Sequence, residues 1–143
     1  MLDIQTLFAG EVTVGTELPE VVWEPTHVQL FRFSAITWNA HRIHYDQAYA
    51  AEEGYPDVLV QSHLHGCFLV QTVMSWAGPR ATLHRFRWQN RHLATPGDKL
   101  RCTGTVTAVE GSLVHCELRE INQHGDICAP GWATVELPVK DLS

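Results

Sequence analysis

The chain has 143 residues, 45% of them hydrophobic and 18% charged, with a net charge of -6 at neutral pH, which suits one globular domain, residues 1–143, able to bury a core. The acidic balance argues against nucleic acid or an anionic membrane as the main partner, because both call for a basic field. The first twenty residues have no basic start followed by an apolar run, and no stretch approaches the roughly 20 apolar residues that span a bilayer, so a cytoplasmic protein with no membrane partner is expected.

In chain order, Thr26 is placed to cap a helix whose apolar positions Val28, Phe31 and Ala35 recur at helical spacing and which ends near Trp38. A loop with the sequence NAHRIHYD follows. The run DQAYAAEE, residues 46–53, reads as a short helix stopped by Gly54 and Pro56. A longer helix, from about Leu64 to Ala77, is apolar almost all round, which suits burial on most sides, and ends at Gly78-Pro79. From residue 80 onward, ATLHRFRWQ, KLRCTGTVTAV, LVHCELREI and GWATVELPV are strand-like runs separated by turn signals, and they read as an antiparallel meander. A largely helical first half followed by long strands predicts an α+β fold in which a sheet curls around the apolar helix.

Cys67, Cys102, Cys116 and Cys128 form no CxxC pair and sit in apolar segments, the pattern of core cysteines. His41, His44, His63 and His65 could be drawn as a metal cluster, but no carboxylate or thiolate joins them at a recognised ligand spacing, so no metal is expected. Arg85, Arg87 and Arg91 are candidates for phosphate contacts, and equally fit the solvated positions of a strand. Tyr45 and Asp46 read as packing and helix-start residues.

The segment richest in chemistry is FRFSAITWNAHRIHYDQAYA, residues 31–50, which puts an amide and two imidazoles on a loop leaving a helix. Histidine exchanges protons near neutral pH, and asparagine offers both a donor and an acceptor to a water molecule. On spacing alone two readings stand: a catalytic pair, Asn39 with His44, or histidines that tie the loop together.

These residues resemble the MaoC-like hydratases and dehydratases of acyl thioesters. SAITWNAHRIHYD followed by EGYPDVLV is similar to the subgroup of 3-hydroxyacyl-thioester dehydratases and mesaconyl-thioester hydratases, and FLVQTVMSWAGP to small hydratase subunits acting on steroid side-chain thioesters. The resemblance covers residues 26–79 well and the strands only loosely. It implies a hot-dog fold with the 64–77 helix at its centre, a homodimer or higher oligomer that could include a second MaoC-like chain, an acyl-CoA or enoyl-CoA substrate, and no separate cofactor. By the same resemblance His44 would be the general base that activates water, and Asn39 would hold that water. Much of the family has aspartate at the Asn39 position; asparagine cannot titrate, so acid–base work would fall on His44. The family's HG pair, whose amide serves the thioester oxygen, falls on Gln61-Ser62 when counted from GYP, making the N–H of Ser62 or His63 the oxyanion donor. An alternative alignment puts it on His65-Gly66. His41, Arg85, Arg87 and Arg91 would be substrate or coenzyme A contacts. Two other readings stand beside the hydratase: a hot-dog thioesterase, disfavoured because residues 61–77 contain no Asp or Glu, and a non-catalytic subunit supporting an active partner.

Overall fold

A computed structural model of the chain describes residues 6–140. Its main elements are β1 (Glu17–Trp23), α1 (His27–Thr37), a 3-10 turn (Arg42–His44), α2 (Gln47–Glu52), α3 (Ser62–Ala77), β2 (Thr82–Trp88), β3 (Leu100–Glu110), β4 (Leu113–Ile121) and β5 (Ile127–Glu136). The five strands form one sheet in the order β1-β3-β4-β5-β2, with every neighbouring pair antiparallel.

This order corrects the expectation of a four-strand meander. Only β3, β4 and β5 follow one another; β2 crosses to the far edge and pairs with β5, and β1 forms the opposite edge. The first half of the chain therefore contributes a strand that composition concealed. β1 carries Pro19 and a register shift between Leu18 and Val21, both of which an edge strand tolerates because one side of its ladder has no partner. The last strand begins at Ile127 rather than at Gly131 and has Pro130 inside it. The carbonyl of Pro130 accepts from the N–H of Gln89, just past the end of β2 at Trp88, so its missing donor lies where the ladder has already ended.

α3 lies against the sheet and supplies the centre of the core. Leu64, Phe68, Leu69, Val73 and Ala77 are buried together with Leu100, Val106, Val114, Leu118 and Val135 from the strands. Phe68 stacks on Trp23 of β1 with ring centroids 5.0 Å apart. The helix closes at Gly78, whose φ of 87° is open to glycine at no steric cost. Cys102, Cys116 and Cys128 are buried and unpaired, as the apolar context of each predicted; burial pushes the Cys116 thiol up to about 11 and that of Cys128 to about 12.

α1 is capped as expected, the Thr26 side chain accepting from the Gln29 N–H. Its buried residues, however, are Leu30 and Ser34, whereas Val28 and Phe31 are exposed. The helix carries two apolar faces, and the one marked by Val28, Phe31 and Ala35 is turned away from the core. Among the described residues, no helix is long and apolar enough to cross a membrane.

Candidate active site

The N-terminal end of α3 and the loop after α1 enclose a cavity of about 580 Å³ lined by Asn39, His41, Ile43, His44, Leu59, Val60, Ser62, His63, His65 and residues 90–93. It gathers Asn39, His41, His44, Ser62, His63 and Arg91. Arg85 and Arg87 are not brought there. They alternate with the core-packed Phe86 and Trp88 on β2 and face the other side of the sheet, where Arg87 lies over the Trp132 ring at 4.2 Å and both arginines line a separate groove.

His44 is built for one chemical role. It ends the 3-10 turn, is 9% exposed, and its Nδ1 lies 2.7 Å from the Leu59 carbonyl oxygen. A carbonyl only accepts, so Nδ1 carries the proton and Nε2 presents a lone pair. Burial is the largest influence on the ring and lowers its pKa, keeping it neutral. Asn39 follows α1 directly, its N–H bonded to the Ser34 carbonyl and its Oδ1 accepting from the His41 N–H at 3.3 Å, which leaves the amide nitrogen as a donor. Tyr45 and Asp46 have the structural parts expected: the Tyr45 hydroxyl donates to the Ala40 carbonyl, and Asp46 caps α2 by accepting from the Tyr49 N–H.

Trp38, just before Asn39, is the only non-glycine with positive φ among the described residues (57°) and is 90% exposed. A left-handed conformation costs a side-chain-bearing residue roughly 1 kcal/mol. Trp38→Gly is therefore expected to raise stability by about 0.5–1 kcal/mol in chemical denaturation, since strain is released and almost no burial is lost.

α3 starts at Ser62, two residues before the expected Leu64, so Ser62 stands at the helix start and Gly66 inside the helix. The Gln61 carbonyl takes the N–H groups of Leu64 and His65, so those of Ser62 and His63 precede the first hydrogen-bonded amide. Gln61 does not cap the helix, because its side chain donates to the Leu30 carbonyl at 2.7 Å and to the Ser34 hydroxyl at 2.9 Å. That bond ties α1, and so Asn39, to the start of α3. Gly66 lies within the helix and has a packing reason to be glycine: a Cβ there would meet the Trp88 ring at 2.9 Å, and that ring is fixed by its N–H donating to the Ser62 carbonyl. Gly66→Ala is expected to cost about 1–3 kcal/mol by displacing Trp88, measurable as a lower denaturation midpoint.

The fold brings a carboxylate to this helix from another element. Residues 61–77 lack one, but β4 delivers Glu120 to the His65 Nδ1 in an ion pair whose two side chains are 2% and 0% exposed. Glu120 was not singled out in the sequence. Among the described residues no group of three or more His, Cys, Asp or Glu is placed to hold a metal ion.

Residues 14–96, more than half of the chain, match the family model described as hydroxyacyl-thioester dehydratase type 2. The chain belongs to that family. Among curated proteins it is similar to the mesaconyl-C(4)-CoA hydratase of Chloroflexus aurantiacus, 58% identical over 43 residues, which are 29% of this chain and 15% of that protein. It is also similar to the mitochondrial hydroxyacyl-thioester dehydratase type 2 of Schizosaccharomyces pombe, 32% identical over 78 residues, 52% of this chain and 25% of that one. The matched stretches thus span a quarter or less of these relatives. Among solved structures, the R-hydratase PhaJ1 of Pseudomonas aeruginosa superposes with a TM-score of 0.88 at 22% identity, over 96% of this chain and 89% of that one. A chain of the ChsH1-ChsH2 complex of Mycobacterium tuberculosis superposes with a TM-score of 0.82 at 22% identity, over 87% and 98%. At such identity they show the fold, which is the α+β hot-dog with α3 at its centre. Asn39, His44, Ser62 and His63 fall inside the family match; Glu120 falls outside it.

Proposed function

We propose that the chain is a hydro-lyase that adds water across the α,β double bond of an enoyl thioester and, in reverse, dehydrates a 3-hydroxyacyl thioester. The observation that carries this reading is the His44 ring: proton fixed on Nδ1 by Leu59, neutral through burial, its Nε2 available in the cavity shared by Asn39 and the first amides of α3. His44 takes a proton from the attacking water as its oxygen bonds to Cβ. The Asn39 amide nitrogen orients that water. Negative charge gathers on the thioester oxygen, and the N–H groups of Ser62 and His63, already oriented at a helix start, stabilise it without reorganisation.

Arg91 and His41 at the cavity rim suit the phosphates and pantetheine arm of a coenzyme A thioester, a guanidinium pairing well with phosphate. The family and the curated relatives, named for hydration and dehydration of thioesters, agree with the reaction class. We further propose that the chain works as a homodimer or beside a second hot-dog chain, which the exposed apolar face of α1 and the two sheet edges, β1 and β2, are suited to meet.

The test is loss of the conjugated-thioester absorbance when purified protein is added to a panel of enoyl-CoA thioesters. The pH profile carries a signed prediction. Protonation of His44 removes the base, and burial disfavours the protonated form, so the acid limb of kcat/KM is expected to inflect below 6.5, the ordinary histidine value. An inflection above that value would assign the base to another group.

A further inference from the structure

Water addition needs two proton transfers, one away from the water at Cβ and one onto Cα. His44 has one ring nitrogen committed to Leu59 and one open, and Asn39 does not titrate, so the two transfers either share the His44 Nε2 or use a second acid–base group. The cavity holds one more acid–base unit. His65, on the second turn of α3, lines the same cavity yet is 2% exposed, and its Nδ1 is bonded to the Glu120 carboxylate from β4. Glu120 is fully buried, its second oxygen, Oε2, has no hydrogen-bond partner, and its ion pair among the described residues is with His65. A buried carboxylate needs a polar partner, and His65 is the side chain that reaches it. The titratable groups that face Glu120 are the thiols of Cys102 on β3 and Cys128 on β5, both held uncharged by burial. On the cavity side stand His41, His44 and His63. Of these imidazoles, His65 is the one backed by an interior carboxylate.

We propose that His65 is the acid that protonates Cα, with Glu120 as the residue that positions it. The inference rests on the hydro-lyase reading above. As the water oxygen bonds to Cβ and His44 Nε2 takes its proton, the double-bond electrons move to the thioester oxygen. The enolate then collapses, and Cα takes the proton from His65 Nε2, whose N–H electron pair remains on the ring. Nδ1–H stays bonded to the Glu120 carboxylate throughout. Between turnovers the proton gained by His44 returns to His65 through solvent. In dehydration His65 Nε2 removes the α-proton and His44 donates to the departing hydroxyl.

The experiment compares wild type with Glu120→Gln, full chain, on crotonyl-CoA and longer enoyl-CoA thioesters, following hydration against pH with denaturation curves alongside. Glu120→Gln keeps an acceptor for Nδ1 but removes the charge. The expected result is a kcat lowered about 10²-fold with KM nearly unchanged. A folded Glu120→Gln with wild-type kcat overturns the proposal and leaves the hydro-lyase reading standing. Should Glu120→Gln not fold, the double variant His65→Gln with Glu120→Gln replaces the ion pair by two neutral amides. A comparable loss in it supports the proposal, and activity within about threefold of wild type overturns it. A wild type that releases free thiol without hydrating any thioester overturns both readings.

Discussion

His44→Ala is expected to lower kcat for enoyl-thioester hydration by about 10²–10⁴-fold, the range a positioned general base contributes. The loss should appear in kcat and kcat/KM together, because the base acts on water in the transition state while the thioester is held by groups the substitution leaves in place. A smaller cost in stability accompanies it. The Leu59 carbonyl loses the donor 2.7 Å away in a part-buried position, worth about 1–3 kcal/mol if nothing replaces it. His44→Asn separates the two effects, since its amide nitrogen stands where Nδ1 does and can still donate to Leu59 but cannot serve as a base near neutral pH; it should recover stability without recovering rate. Steady-state kinetics on both variants, with urea titrations beside them, read the two quantities independently.

The largest expected effect on stability comes from Phe68→Ala. Phe68 is 2% exposed at the centre of α3, stacks on Trp23 of β1 at 5.0 Å, and belongs to the cluster that joins the helix to the strands. Truncation loses the ring's burial and leaves a cavity that the sheet, closed by hydrogen bonds on both sides of its inner strands, can fill only in part, so the cost should be about 3–5 kcal/mol. That is a large share of the 5–15 kcal/mol typical of a domain. The urea midpoint should fall accordingly. An effect below about 1 kcal/mol would mean that α3 is not the centre of the core.

The parts legible in the sequence were those fixed by local chemistry. The cap at Thr26, the cap at Asp46, the stop at Gly78 and the all-round apolar character of α3 each depend on a few adjacent residues, and each is where it was expected. What local pattern could not settle was partnership. Val28, Phe31 and Ala35 are as apolar as an inward face, and only packing shows that Leu30 and Ser34 face inward instead. The position of β2 beside β5 rather than β3 is likewise a matter of which edges meet, and β1 was hidden by Pro19, which its edge position tolerates.

The site divides in the same way. Asn39, His41, His44, Ser62 and His63 lie close in sequence around one loop and one helix start, and the fold keeps them together in one cavity. Arg85 and Arg87 follow the strand period to the other face of the sheet. Glu120 had a signal that could have been read: Val114, Cys116 and Leu118 occupy the inward positions of β4, and the next inward position is an acid. A carboxylate at a core position calls for a polar partner opposite it, and the sequence does not say that the partner is His65, 55 residues away.

The most direct test of the proposed chemistry is to run the reaction in heavy-oxygen water with an enoyl-CoA thioester and find where the label goes. Addition through His44 predicts the label in a hydroxyl at Cβ of an intact coenzyme A thioester, and none in that product when His44→Ala is used. Label in a free carboxylic acid, with release of coenzyme A thiol, would contradict the account and make the cavity that of a thioesterase.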